Sequence, residues 1–321
     1  MKIPNINILC IGGITTDIIV DTDKVSVQTD KKSGDKMIAF PYGEKVVADS
    51  VTHTYGGGAL NTAITLRALG LKAQVMAAVG VEQRHALLSD YLKKRGLSDR
   101  FVQYVKDEET ALSLVVNSPR EDEHVLFVHQ GAAEKFRFNQ SELDKYSSDW
   151  IMLTSLRGQV ADANLQRVFK YQTKNNVRLF WNPGEQQILH FRKYRNYLRQ
   201  VEVLSLNLAE VERVAQTLGI KRPTVPAIVK KLMSLGVQKI LITEGKKGVT
   251  YFDNQRIIFQ PAERVAVRNT TGAGDALNAG FMAGLLIFNE PERALRLGVK
   301  NAARVIRTVG AHEGVLRRSD L

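Results

Sequence analysis

The stretch "NTTGAGDALNAGFMAGLL", residues 269–286, joins a glycine-rich turn to an apolar helical segment that continues to Phe288. It follows the strand-like "ERVAVR" (263–268), so the turn is predicted to lie between a strand and a helix. Backbone amides at the start of a helix lack intrahelical partners and lie at the positive end of the helix dipole. Because Gly272 and Gly274 leave this backbone open to a ligand, the turn predicts a binding site for phosphate oxygens.

Asp275 is the one carboxylate of this stretch, and it stands directly after the glycine turn. An ionised carboxylate beside such amides suits the transfer of a phosphoryl group to an alcohol, because it can accept the hydroxyl proton. The alternative is a first-turn aspartate that only complements the helix dipole, with glycines that serve packing. Small residues farther along the segment predict close packing against another helix: Ala276, Ala279, Gly280, Ala283 and Gly284.

A second glycine-rich segment, "YGGGALNTAITLRALG", occupies residues 55–70 and also precedes a helical pattern. The backbone amides of Gly57 and Gly58 and the side-chain amide of Asn61 can bind a polyol from several directions. Asn61 can instead cap the helix or serve as a satisfied amide in the core. Taken alone, a glycine run before a helix is a weak signal.

The second half of the chain alternates short apolar runs with helical patterns such as Asp162–Thr173 and Leu208–Thr217. Continuous apolar strands between helices indicate a parallel sheet that is covered on both faces. The segments Asn7–Gly12 and Ala73–Val79 fit the same sheet. The other predicted strands are "WIMLTS" (150–155), "VRLFWN" (177–182), "VEVLSLN" (201–207) and "KILITEG" (239–245).

Two regions depart from this alternation. Residues 18–54 show no clear helix, and residues 100–129 contain the successive strand-like runs "FVQYV", "ALSLVV" and "HVLFV". We expect both regions to form one small β lid beside a single α/β domain that spans residues 1–321. An exposed strand edge in such a lid can pair with a second copy, which predicts a homodimer through the lid.

The composition is that of a soluble globular protein, with 44% apolar and 24% charged residues among 321. The single cysteine, Cys10, excludes a disulfide framework and a zinc cluster, and its apolar surroundings predict a buried thiol. No apolar run is long enough to span a bilayer, so we expect a cytoplasmic protein without membrane contact.

The formal net charge of +12 raises the question of nucleic-acid binding. The basic residues are scattered along the chain, and the densest patch, "RKYRNYLR" (192–199), fits one solvated helix face. A positive field also steers small phosphorylated ligands toward the surface. With no motif for reading grooves or stacking bases, the sequence does not favour a nucleic acid as partner.

Together, "NTTGAGD" and "GGGALN" resemble the two signature motifs of the ribokinase-like (PfkB) family of carbohydrate and nucleoside kinases. The resemblance extends from Gly12 to Gly310 and implies a three-layer α/β/α kinase with a small β lid. It implies transfer of the γ-phosphoryl group of ATP to a hydroxymethyl group, with Asp275 as the base. Gly272, Ala273 and Gly274 would then form the anion hole. The implied acceptor residues are Asp17, Gly57, Gly58 and Asn61.

The resemblance also implies a nucleotide site served by Mg²⁺ that arrives bridged by the phosphates of ATP. "NLAEVE" (207–212) is similar to an N-x-x-E element that lies near the metal, and "TEGKKGV" (243–249) is similar to a nucleotide turn. Glu210 can equally be an ordinary first-turn acid, and Asn182 a turn residue before Pro183. The implied nucleotide-side residues are Asn182, Asn207, Glu210, Thr243, Gly245, Gly248 and Asn301.

Two segments depart from the family pattern. Asn269 replaces the more common aspartate and lacks the charge that helps some members hold a monovalent cation, so potassium dependence is not favoured. "GVEQRH" (80–85) replaces G-x-D-x-x-G. These departures keep open a different class of function, a catalytically silent protein that binds sugar and nucleotide.

The acceptor itself stays open between a ribose- or ketose-like sugar and a nucleoside. A nucleoside base would need apolar contacts from the lid, and a sugar phosphate would need an arginine near the pocket. The available side chains are Phe40, Tyr42 and Phe127 for the base, and Arg84 or Arg157 for the phosphate.

Overall fold

The computed structural model describes residues 3–30, 34, 36–81, 85–117, 124–143, 146–221 and 223–321. Their central element is a nine-stranded sheet. Its strands are β1 (Asn7–Ile11), β6 (Lys72–Gly80), β7 (Phe101–Val105), β10 (Trp150–Leu153), β11 (Arg178–Trp181), β12 (Val203–Asn207), β13 (Lys239–Thr243), β14 (Gly248–Phe252) and β15 (Ile257–Pro261).

The order of this sheet is β15-β14-β13-β12-β11-β10-β1-β6-β7. Neighbours from β7 through β13 pair in parallel, whereas β14 and β15 add antiparallel at one edge. The expected mostly parallel central sheet is therefore confirmed.

Helices cover the sheet on both faces. Side chains alternate along β1, so that Leu9 and Ile11 enter one hydrophobic core and Ile8 and Cys10 enter the other. The first core also receives α3 to α6, and the second receives α1, α2, α7 and α8. The helices are α1 (Gly58–Ala68), α2 (His85–Lys94), α3 (Ala161–Asn175), α4 (Glu185–Leu189), α5 (Leu208–Thr217), α6 (Val225–Ser234), α7 (Ala273–Phe288) and α8 (Pro291–Val305).

A second, smaller sheet has the order β5-β2-β8-β9, and β3 forms a separate hairpin with β4. Its strands come from both regions that the sequence sets apart, as expected. The strands are β2 (Thr15–Asp21), β5 (Ser50–Gly56), β8 (Ala111–Asn117) and β9 (His124–His129), and the hairpin consists of β3 (Ser26–Thr29) and β4 (Lys36–Ala39).

Three local predictions were wrong. Phe101–Val105 does not belong to the small sheet but pairs in parallel with β6, because Phe101 and Val102 are buried in the main core. Residues 263–268 form no strand, since β15 already ends at Pro261. The basic patch over 192–199 forms short 3-10 turns instead of one helix, although its arginines are solvated as predicted.

The small residues of α7 serve close packing, as predicted. A Cβ atom at Gly280 would lie 2.9 Å from the Cα atom of Gly298, and one at Gly284 would lie 2.5 Å from that of Ala294. Side chains at these positions would push α8 away from α7. This contact anchors the helix whose first turn carries Asp275.

Candidate active site

The candidate active site lies where the strand order of the large sheet changes direction. From β1 the chain continues to β6 and β7 on one side, and from β10 to β13 on the other. Doubly wound sheets bind ligands outside the carboxyl ends of the strands at such a point. The loops after β1 and β10 line a crevice of about 90 Å³ there, together with Gly57 and Gly58. We call it the acceptor crevice.

The glycines at the start of α1 are required by close packing. Gly57 has φ 95°, and a Cβ atom there would lie 2.4 Å from the carbonyl oxygen of Gly13. A Cβ atom at Gly58 would lie 2.7 Å from Thr154 Oγ1. Larger residues would push α1 away from the loops after β1 and β10, so both glycines keep the helix start at the crevice.

The first turns of α1 and α7 bring Asn61 and Asp275 together. Asn61 is buried, and its Nδ2 donates a hydrogen bond to Asp275 Oδ2 at 2.8 Å. Burial raises the pKa of Asp275, and the bond from Asn61 opposes that rise. Asp275 Oδ1 has no hydrogen-bond partner among the described residues, so it is available to a ligand.

Asp17 brings a second carboxylate to the acceptor side. It lies within β2, is 3% exposed, and accepts a hydrogen bond from Thr15 Oγ1 at 2.7 Å. Burial raises its pKa to about 6; bonds from Thr15 and Ser113 oppose the rise, and the charge of Asp275 adds to it. Asp17 therefore lies inside a strand and not at the end of one.

The glycine turn before α7 has two different glycines. Gly272 caps the helix with φ 80°, and a Cβ atom there would lie 2.1 Å from the carbonyl oxygen of Ala311. A Cβ atom at Gly274 would meet nothing within 4 Å, because Ala273 and Gly274 face a cavity. The backbone at the start of α7 therefore borders open space, as an anion site requires, and the Ala273 amide also donates to the carbonyl oxygen of Thr270 at 3.2 Å.

That cavity has a volume of about 840 Å³, within the range of small-molecule sites. The predicted Thr243, Gly245 and Gly248 line it together with the α7 turn, so the structure joins two separate motifs. We call it the nucleotide-side cavity. Residues that the sequence analysis missed form its aliphatic wall: Val265, Val267, Leu277, Val299, Ala302, Ala303 and Ile306.

One signal for that wall was present in the sequence. Val299, Ala302, Ala303 and Ile306 recur at the spacing of one helical face. The same spacing describes an ordinary core stripe, however, and only the structure shows that this face borders a cavity. The segment after β15 carried no comparable pattern.

Asn207 and Glu210 form a capping box at the start of α5. Asn207 Oδ1 accepts from the Glu210 amide at 2.9 Å, and Glu210 Oε2 accepts from the Asn207 amide at 2.8 Å. Burial raises the pKa of Glu210. The first-turn reading therefore describes the observed contacts, and the described residues contain no cluster of three or more metal-binding side chains.

The two remaining predicted asparagines, Asn182 and Asn301, differ in how many of their side-chain polar atoms are already hydrogen-bonded. Asn182 Nδ2 donates to the carbonyl oxygen of Ser205 at 3.1 Å, and the side chain is half-buried beyond β11. Asn301 is fully buried; it donates to Ala276 O and accepts from the Leu316 amide, both at 2.8 Å. These bonds let Asn301 brace the start of α7, and its adenine-side role stays a prediction.

Asn269 is 4% exposed, and its Oδ1 accepts from the Thr271 amide at 2.7 Å. This bond fixes the amide, so Nδ2 points the other way. Among the described residues, neither Asn269 Nδ2 nor Thr271 Oγ1 has a hydrogen-bond partner. A neutral amide at position 269 supplies no charge to hold a cation near Thr271.

The side chains proposed from the sequence for a phosphate or a base lie in different places in the structure. Arg157 lines the acceptor crevice. Arg84 and the central part of "GVEQRH" lie outside the described residues. The aromatic side chains proposed for a nucleoside base are exposed to solvent: Phe40, Tyr42 and Phe127.

Two unpredicted residues, His312 and Tyr91, also reach this site. His312 Nδ1 lies 2.7 Å from Asn61 Oδ1, and Tyr91 OH contacts His312 Nε2. Asn61 and His312 are 251 positions apart in the chain, so no local pattern reveals the contact.

We also find no helix in the described residues long and apolar enough to cross a membrane.

Comparison with known proteins adds three relatives. The chain is 24% identical over 306 residues to the ATP-dependent 6-phosphofructokinase of Thermoanaerobacterium thermosaccharolyticum, covering 92% of each chain. It is 23% identical to the ribokinase of Bacillus subtilis, covering 98% of each.

Its fold matches the Burkholderia thailandensis nucleoside kinase solved with inosine, with a TM-score of 0.79 at 19% identity, over 98% of this chain and 95% of that one. The same kinase has also been solved with ADP and inosine. The model of the pfkB family of carbohydrate kinases matches residues 5–317. The chain therefore belongs to the pfkB carbohydrate kinase family, whose members are phosphotransferases that act on alcohol groups.

Proposed function

We propose that this chain transfers the γ-phosphoryl group of ATP to the hydroxymethyl group of a small acceptor, with Asp275 as general base. The position of Asp275 carries the proposal. It follows Gly274, which lines the nucleotide-side cavity, and it is bonded to Asn61 on the helix whose first residues line the acceptor crevice. One carboxylate therefore borders both substrate regions.

In this mechanism, the adenosine part of ATP occupies the nucleotide-side cavity and the phosphates approach the α7 turn. The acceptor hydroxyl donates to Asp275 Oδ1 and gives up its proton there as its oxygen attacks the γ-phosphorus. The bond between that phosphorus and the bridging oxygen of ADP breaks, and ADP leaves. Amides of residues 272–274 stabilise the charge on the transferred group.

Mg²⁺ would be held mainly by the phosphates and water, because this ion needs few protein ligands. Glu210 Oε2 is engaged by the Asn207 amide, which leaves Oε1 to receive a water of the metal. When bound, the ion neutralises charge on the phosphates. Two asparagines, Asn182 and Asn207, would also lie near the phosphates. The Oδ1 atom of Asn182 has no partner among the described residues.

A ribose- or ketose-like sugar is the acceptor that the crevice supports best. The crevice is small and carries polar groups such as Thr15 and Ser155, with the carboxylate of Asp17 beside it. Asp17 can accept two sugar hydroxyls, and the amides of Gly57 and Gly58 can donate to others. A nucleoside is the second candidate, since the similar Burkholderia thailandensis kinase binds inosine.

The small sheet would act as a lid that closes over the acceptor and excludes water. Its outer strands, β5 and β9, expose apolar side chains, with Val51 at 52%, Leu126 at 46% and Phe127 at 54%. Pairing of these edges in a homodimer would cover them. Light scattering of the wild type and of Phe127→Glu tests this: a monomeric wild type contradicts the dimer.

An acceptor panel tests the function. ADP release from ATP is measured with sugars, sugar phosphates and nucleosides, each beside an analogue that lacks the hydroxymethyl oxygen. We expect release that depends on the complete acceptor and that Asp275→Asn abolishes. Binding of sugar and nucleotide without acceptor-dependent release would support the catalytically silent alternative instead.

A further inference from the structure

A chain of hydrogen bonds extends from Asp275 to the surface on the far side of Asn61. The two ends of the Asn61 amide have different partners, because Nδ2 donates to Asp275 Oδ2 and Oδ1 faces His312 Nδ1 at 2.7 Å. His312 is 2% exposed, and its Nε2 contacts Tyr91 OH on α2. Residues from α1, α2, α7 and the segment after α8 thus converge behind the carboxylate.

The partners dictate every donor and acceptor in this chain. An ionised Asp275 carboxylate can only accept, so Asn61 must turn its NH₂ group toward it and its oxygen toward His312. His312 Nδ1 must then carry a proton. Burial, aided by the positive charge of Arg95, lowers the pKa of His312 to about 3, so the ring is neutral and its Nε2 can accept. Tyr91 OH also lies 3.5 Å from Glu313 Oε1, but its contact with Nε2 is shorter, so the phenol donates to Nε2.

The outer end of the chain is held by a surface ion pair. The guanidinium carbon of Arg95 lies 3.8 Å from the centroid of the Tyr91 ring, and Arg95 pairs with Glu313 at 2.5 Å. Tyr55 packs edge-on against the same ring, with centroids 4.8 Å apart. The phenol is therefore fixed on several sides, and it presents its hydroxyl to His312.

We infer that His312 is a positioning residue that fixes the Asn61 amide, and thereby orients Asp275 so that its Oδ1 stays free for the acceptor hydroxyl. The inference rests on the proposed role of Asp275 as base. Without a donor at His312, only the bond to Asp275 fixes the Asn61 amide, and its buried oxygen is left without a donor, so the amide can turn away from the carboxylate. A flipped amide would place its oxygen against the carboxylate, which is repulsive.

Loss of the Asn61 bond also changes the protonation of the base. That bond lowers the pKa of Asp275, so its loss raises the pKa and reduces activity first at low pH. The other charged group that faces Asp275 is Asp17; those around His312 are Arg95 and Glu313. A residue that only filled space would leave this pH dependence unchanged.

The test compares His312→Phe with His312→Asn, whose Nδ2 can occupy the position of the ring Nδ1 and donate to Asn61. For His312→Phe we expect kcat to fall roughly 10- to 100-fold, with the acid limb of kcat/KM moved to higher pH. His312→Asn should recover kcat to within about 5-fold of the wild type and restore the acid limb. Tyr91→Phe keeps the ring contacts and should lower kcat by no more than about 3-fold, because Asn61 alone still selects the proton on Nδ1.

Nitrogen NMR of His312 in the wild-type protein provides a readout that needs neither turnover nor a folded variant. We expect a proton on Nδ1, none on Nε2, and no titration between about pH 5 and pH 8. A ring protonated on Nε2, or one that titrates near its ordinary pKa, overturns the inference. So do equal losses of kcat in folded His312→Phe and His312→Asn. Full activity of Asp275→Asn would overturn the proposed function instead.

Discussion

The two proposed substrate regions of this kinase are built by different means. The nucleotide-side cavity, about 840 Å³, is lined by an aliphatic wall and by the backbone of the α7 turn. The acceptor crevice, about 90 Å³, lies beside two carboxylates, Asp17 and Asp275, held by hydrogen bonds from neighbouring side chains. Space and backbone direction therefore govern the first region, whereas protonation and side-chain orientation govern the second.

The largest effect on stability is expected from Gly272→Ala, which tests the backbone of the α7 turn. The alanine would have to adopt φ 80°, and its Cβ atom would lie 2.1 Å from the carbonyl oxygen of Ala311. Since backbone must move, we expect the free energy of unfolding to fall by roughly 2–4 kcal/mol. Denaturant unfolding measures it, and an unchanged midpoint would contradict the packing described here.

Gly274→Ala is the matched partner of that change, and it should separate stability from activity. A Cβ atom at Gly274 meets nothing within 4 Å, and alanine favours helix by about 0.5–1 kcal/mol over glycine, so stability should hold or rise. The methyl group enters the cavity where phosphate would bind, and we expect kcat/KM for ATP to fall roughly 10- to 100-fold. Unchanged transfer would place the phosphates elsewhere.

Asp17→Asn tests the carboxylate on the acceptor side. The pKa of Asp17 is raised from 3.8 to about 6, so the folded state binds a proton more tightly than the unfolded state. Wild-type stability should therefore fall as pH rises between these two values. At pH 7.5 we expect the variant to be more stable by roughly 1–2 kcal/mol, though impaired in acceptor binding.

Thermal unfolding of the wild type and of Asp17→Asn at pH 4 and pH 7.5 measures this difference. The advantage of the variant should disappear at the lower pH, where the wild-type carboxyl is protonated. An advantage that is equal at both pH values would show that burial of charge is not its cause.

The smallest effect is expected from monovalent cations. Asn269 is a neutral amide whose oxygen is bonded to the Thr271 amide, and it supplies no carboxylate charge, so replacing K⁺ with tetramethylammonium should change kcat by less than about 2-fold. Asn269→Asp, which restores a charge, should make kcat respond to K⁺. A strong response of the wild type would contradict the account of Asn269.

The sequence predicts the parts of this molecule that depend on local pattern. The parallel strands from β10 to β13 are continuous apolar runs, and the turn at Gly272–Gly274 is a contiguous motif, so both could be located. The sheet to which Phe101–Val105 belongs could not be predicted, because a five-residue strand carries no information about the strand that it pairs with.

The surroundings of other residues at the site depend on tertiary contacts that the sequence does not show. Asn301 matches a motif position but is buried, with both ends of its amide bonded within the protein. His312 and Asn61 are in contact although 251 positions separate them, and no sequence pattern near either residue predicts the contact. Such partners follow only from the packing of α1, α7 and α8.

The proposed phosphoryl transfer depends most directly on Asp275 as the base. The decisive measurement is acceptor-dependent ADP release by Asp275→Asn beside the wild type, with nucleotide binding followed in both by calorimetry. We predict that kcat falls by about 10³-fold or more, while the Kd of the nucleotide changes by less than about 3-fold. A variant that binds the nucleotide and still turns over at the wild-type rate would contradict the role of Asp275.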